Sequence, residues 1–160
     1  MNKNYIVLLI AYLIFAIPLS VMDSRKFRIS LPFLLAGSIV LVLSHVMFPV
    51  MLLAFWLKNL LVSLVTSFLF YFSTRILTGD GLGFGDVFFG MYSAVFTGFY
   101  MNMVATVFAA LLGVLYYLLL ALASRIKKGQ IVHRPIFAIP FVPFITAGNL
   151  LAFLLFRVIA

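Results

Sequence analysis

Apolar residues fill this chain in long blocks. Six blocks can be drawn, at about residues 5–22, 31–48, 60–77, 87–101, 103–123 and 136–159, each set off by a few polar, glycine or proline positions. A run of 18 or more apolar residues crosses the roughly 30 Å hydrocarbon core of a bilayer as a helix. The pattern therefore predicts an all-α, polytopic integral membrane protein of about six transmembrane helices, a single domain over residues 1–160. The fourth block is short for a span. The stretch from 31 to 77 is too long for one crossing and too short for three, so it counts as two.

Composition agrees. Hydrophobic residues make up 66% of the chain and charged residues 9%, with a mean hydropathy of +1.30. A soluble domain carries roughly a quarter charged residues. The net charge of +8 is read as bilayer contact, because basic residues between spans mark cytoplasmic loops and touch anionic headgroups; no nucleic-acid partner is expected. Arg25, Lys26, Arg28, Arg75, Arg125, Lys127, Lys128 and Arg134 fall on one side of the six-span arrangement, and Lys3, Lys58 and Arg157 on the other. The richer side is assigned to the cytoplasm, which puts both termini outside. The basic "RKFR" after the first block marks it as a retained anchor in a plasma (inner) membrane and not a cleaved signal. With no cysteine, disulfides, thiolate metal sites and cysteine nucleophiles are excluded.

The chain has three carboxylates, Asp23, Asp80 and Asp86, and no glutamate. Two lie in "TGDGLGFGDVFFG" (78–90), among Gly79, Gly81, Gly83 and Gly85. Taken singly, Asp23 reads as an interfacial charge ending the first span, and Asp86 as the N-cap of the fourth. As a pair they read differently. Two spans separate them, so both fall at the same cytoplasmic face. Two aspartates whose helices touch share a proton, one acting as base toward a water while the other protonates the attacked carbonyl oxygen. This is aspartic-protease chemistry and needs no cofactor. Glycine beside such a pair permits close backbone approach and positive φ. The spacing is neither GxGxxG nor GxxxxGK[ST]. A divalent cation usually wants more oxygen ligands than these aspartates supply, so no metal is expected. The alternatives are a small proton-coupled transporter or channel using Asp86 as its intramembrane acid, and a non-catalytic scaffold in an export machine.

"GFGD" (83–86) is a GxGD motif, and with it the chain resembles the type IV prepilin and preflagellin peptidases. "VMDSRKFRI" resembles the stretch around that family's first catalytic aspartate, and "IPFVPFITAG" (139–148) its Pro-Phe-x-Pro-Phe segment, all in the family's order. The resemblance implies an aspartyl endopeptidase that cuts the short basic leader of a prepilin-like or preflagellin-like protein. It implies Asp23 and Asp86 as the catalytic pair, with Gly83 and Gly85 shaping the backbone beside Asp86. Ser30 and Leu31 stand where the family has Pro-Asn, and Phe88 where it often has lysine. The N-terminal cytoplasmic domain with paired cysteines carried by larger members is missing. Peptidase activity without N-methyltransferase activity is therefore expected.

Asp80 reads as a solvated turn residue or, more sharply, as the acid that receives a basic leader. His45 is placed near the outer end of span two as structural or interfacial, and His133 in a basic cytoplasmic loop. Pro135, Pro140 and Pro143 crowd the start of span six, and irregular backbone at membrane depth places that stretch near the aspartates. Gly148 and Asn149 read as packing and an interhelical hydrogen bond.

Overall fold

The computed structural model describes residues 3–79, 82–126 and 140–156. The described residues are helical almost throughout: α1 (Lys3–Lys26), α2 (Leu31–Met47), α3 (Leu53–Leu77), α4 (Phe84–Ile126) and α5 (Val142–Leu154). Three stretches, Lys3–Lys26, Leu53–Leu77 and Phe84–Leu120, are long and apolar enough to cross a membrane. The architecture is that of a helical membrane protein.

The helices are inside-out by the standard of a soluble bundle. On α1, Ile6, Ile10, Ile14, Ile17 and Val21 form an exposed aliphatic stripe, while Tyr12, Ala16, Leu19 and Asp23 are buried. That arrangement suits lipid, which solvates aliphatic side chains and offers polar groups no partner. Hydroxyls accordingly bond within their own helix: Ser24 to the Ser20 carbonyl, Ser38 to Leu34, Thr74 to Phe70 and Thr97 to Ser93.

The fourth and fifth blocks meet at Gly98 within the one element α4. That residue has φ 69° and ψ −179°, not helical values. The contacts with α3 show what happens there. Tyr71 packs where Gly90 leaves room for its ring, and it also shares a hydrogen bond with Thr106. Ser63 donates to the Ala94 carbonyl, Asn59 accepts from the Phe99 amide, and Asn102 donates to Ser67. Moving along α3, partners before Gly98 descend in residue number while partners after it ascend. The chain therefore turns back at Gly98, and α4 is a helical hairpin with a first arm (84–97) and a second arm (99–126). The sequence boundary near residue 102 was misplaced: Asn102 is a buried helical residue, not a loop residue.

One residue makes the turn without a loop. Its backbone region is essentially glycine-only, and a methyl at Gly98 would strike the Asn59 amide. Gly98→Ala is expected to cost about 1–3 kcal/mol, read as an earlier unfolding midpoint in detergent. Asn59→Ala removes only the cap on Phe99 and is expected to cost less.

Other boundaries moved as well. α3 begins at Leu53, so Lys58 lies inside a helix and not in a loop. α4 begins at Phe84 rather than Val87, which makes Asp86 its third residue and not its N-cap. The described part of the last block is Val142–Leu154.

The second arm and α5 run antiparallel at very short range. A Cβ on Gly148 would collide with the Ala105 carbonyl oxygen and lie 2.9 Å from the Ala109 amide nitrogen. Asn149, fully buried, donates to the Tyr12 hydroxyl and to the Ile145 carbonyl, and Tyr12 also bonds Ser93. This polar knot ties α1, the first arm and α5 together, as expected for Gly148 and Asn149. His45 is a buried structural residue near the end of α2, its Nδ1 on the Leu41 carbonyl and its ring stacked on Trp56.

Candidate active site

Counting helix directions places the two aspartates. α1 ends just past Asp23, where Phe27 adopts φ 52° and its amide bonds the Asp23 carbonyl. α2 and α3 then run out and back. α3 ends at Leu77, and α4 starts at Phe84 beside it. Asp23 and Asp86 therefore occupy one end of the bundle, as the two-span count required. At the other end Asn4 bonds the Pro49 carbonyl and Phe153 stacks on Phe96. Both carboxylates are buried, 5% and 8% exposed. They are close enough that the charge on Asp23 acts on Asp86.

Each aspartate is held by a backbone amide from another segment. Asp23 Oδ2 accepts the Val142 N–H at 3.1 Å, so the α5 N-terminus, with its partial positive charge, faces that carboxylate. Pro140 and Pro143 flank this contact, which puts their segment at the carboxylates, as expected. Asp86 Oδ2 accepts the Gly83 N–H at 3.0 Å. A carboxylate on the third helical residue reaching back to the residue before the helix is one half of a capping box. The second oxygen, Asp86 Oδ1, is buried and without a hydrogen-bond partner among the described residues. A carboxylate that fixes one oxygen and leaves the other open can take up a proton or engage a water.

The glycines act by room, not by unusual backbone. Positive φ occurs at Gly79 and not at Gly83 or Gly85. A Cβ on Gly83 would sit 3.3 Å from Asp86 Oδ2, whereas one on Gly85 would meet the end of the Ile29 side chain at 2.9 Å. Ile29, in the α1–α2 connection, thus packs directly on the GxGD segment. Gly83→Ala presses on the carboxylate itself and should lower turnover more than stability, whereas Gly85→Ala presses on Ile29 down to its Cβ and should lower stability as well. Asp80 and Gly81 lie outside the described residues, as do His133 and Pro135.

Two neighbours carried no chemical reading in the sequence. Arg75, in the last turn of α3, donates to the Leu82 carbonyl at 2.7 Å, and its guanidinium lies 4.0 Å from the centre of the Phe84 ring. Tyr71, one turn earlier and buried, lies within electrostatic reach of Asp86. Arg75 stood out only as a cation ending an apolar block, and its main-chain partner leaves no trace in the sequence. Among the described residues no group of three His, Cys, Asp or Glu side chains comes together. No protein-family model, curated protein or solved structure matches the chain.

Proposed function

We propose that this chain is a membrane aspartyl endopeptidase that removes the short basic leader of a prepilin-like or preflagellin-like protein. In this reading it is a six-span protein of the plasma membrane, with both termini outside and the carboxylates at the cytoplasmic face. The observation that carries the proposal is that Asp23 and Asp86, from helices separated by two others, are both buried at one end of the bundle and within electrostatic reach of each other. Buried ionisable groups in a membrane protein are costly and are kept for function. Two that repel each other serve no structural end that a pair of asparagines would not serve better.

The chemistry follows from the pair. The ionised member removes a proton from a water as its oxygen attacks the scissile carbonyl, and the protonated member gives its proton to the carbonyl oxygen. Collapse of the tetrahedral intermediate breaks the C–N bond, with a proton returned to the departing nitrogen. The Gly83 amide anchors Asp86 and the Val142 amide anchors Asp23, so neither carboxylate has to reorganise during the step. No cofactor and no methyl transfer enter this scheme.

The test uses purified protein in detergent and a synthetic peptide with a lysine-rich leader, a glycine and an apolar helix. Mass spectrometry should locate a single cut after the glycine. A wild-type protein that leaves this peptide intact, yet conducts protons across liposomes in an Asp86-dependent way, would overturn the peptidase reading in favour of a transporter.

A further inference from the structure

Arg75 and Asp86 hold opposite ends of the same peptide group. The bond between Leu82 and Gly83 presents its carbonyl oxygen to the Arg75 guanidinium at 2.7 Å and its N–H to Asp86 Oδ2 at 3.0 Å. No described peptide bond is cis, so these two groups point in opposite directions and the order is guanidinium, C=O, N–H, carboxylate. The peptide dipole is aligned with both charges, and hydrogen bonds in such a chain polarise one another.

We propose that Arg75 is a positioning residue for Asp86, acting through the Leu82–Gly83 peptide group. It does two things there. It fixes the plane of the peptide, and hence the direction in which the Gly83 N–H points at Oδ2. It also places a permanent positive charge one peptide away from the carboxylate, opposing the negative charge of Asp23. The Phe84 ring completes the clamp, because the guanidinium carbon lies over it, 4.0 Å from its centre. Phe84 is the second residue of GFGD, so the segment preceding Asp86 is gripped on both its backbone and its side chain by α3. An arginine whose only duty was to mark the cytoplasmic boundary would extend its head toward water and headgroups. Arg75 is instead half-buried and turned onto the loop.

Among the described residues, Asp23 from α1 and Tyr71 from α3 lie within electrostatic reach of Asp86, and Arg75 from α3 stands one peptide group away from it. Neither α2 nor the described part of α5 brings a titratable side chain to that end. The catalytic part of this inference rests on the peptidase reading, while its electrostatic part does not.

Because the chain has only three side-chain carboxylates, the electrostatic part can be read directly. Protein labelled with 13C at the aspartate side-chain carbonyl gives three side-chain carboxyl signals, assigned by Asp→Asn variants and followed with pH in detergent. In Arg75→Gln the Asp86 midpoint should rise by about one pH unit, the scale of a charge held across one peptide group. Arg75→Lys keeps the charge but not the guanidinium over the ring, and should shift it by less. In the cleavage assay, kcat should fall with KM little changed. The pH–rate limb governed by Asp86 should move the same way, with partial recovery in the lysine variant. Should Arg75→Gln not fold, the wild type supplies the reading: the Arg75 side-chain nitrogen signals should titrate with the Asp86 midpoint. An Asp86 signal that titrates identically in wild type and Arg75→Gln, or Arg75 nitrogens indifferent to it, overturns the proposal. A shifted Asp86 in a protein with no peptidase activity would uphold the clamp and reject only the peptidase reading.

Discussion

Asp23→Asn and Asp86→Asn are each expected to reduce leader cleavage by at least about 10²-fold while leaving the protein as stable as before or more so. The two halves of that expectation come from the same geometry. An asparagine side chain keeps a carbonyl oxygen, so the Asp23→Asn protein can still accept the Val142 amide and the Asp86→Asn protein the Gly83 amide. The helix ends stay anchored. What disappears is the capacity to exchange a proton with water, along with the repulsion between two buried carboxyls. General acid–base catalysis is worth about 10²- to 10⁴-fold in rate, and members of a coupled pair are not independent, so the double variant should be little worse than either single one. Cleavage rates paired with detergent unfolding curves check this. Cleavage that survives either substitution would remove the pair from the chemistry. A loss of cleavage accompanied by early unfolding would mean that the carboxylates are structural.

Gly148→Ala is expected to lower both stability and turnover, because its new methyl meets backbone that cannot yield. Its Cβ would collide with the Ala105 carbonyl oxygen and crowd the Ala109 backbone nitrogen, neither of which can rotate away. The second arm of α4 and α5 must then separate, at a cost of about 1–3 kcal/mol for overpacking. The damage spreads by way of Asn149 and Val142, on the same helix. Separation loosens the Asn149–Tyr12 bond and moves the amide that holds Asp23. A lowered unfolding midpoint should therefore come with a reduced cleavage rate. A variant as stable as wild type would show that the helices are not in intimate contact there.

Much of the candidate site was legible in the sequence because it depends on counting. Hydropathy gives the number of crossings between Asp23 and Asp86, and parity alone then puts them on one side. The prolines at 140 and 143 likewise marked irregular backbone needing a polar neighbour, and that neighbour is Asp23. Other features depend on backbone groups or on distant partners, which residue types do not reveal. Gly98 turns the chain in the middle of an apolar run because one glycine adopts positive φ and Asn59, far away in sequence, caps the next amide. Asn102 looked like the break because it is polar, yet its amide is spent on Ser67 inside the bundle. Arg75 was read only as a topological charge, since a main-chain carbonyl and a ring were its undeclared partners.

The hairpin has a consequence for how deep the end of the bundle opposite the carboxylates reaches. Its first arm, at 1.5 Å per residue, is about 20 Å long, some 10 Å less than a hydrocarbon core. Gly98 meets Asn59, six residues inside the start of α3, so the tip stops about 9 Å short of that helix end. Tyr5, His45 and Trp56 line, with Gly98, a cavity of about 30 Å³ beside the tip, roomy enough for little more than a water. The short arm therefore ends inside the bundle, at a turn that a single glycine and the Asn59 side chain hold in place.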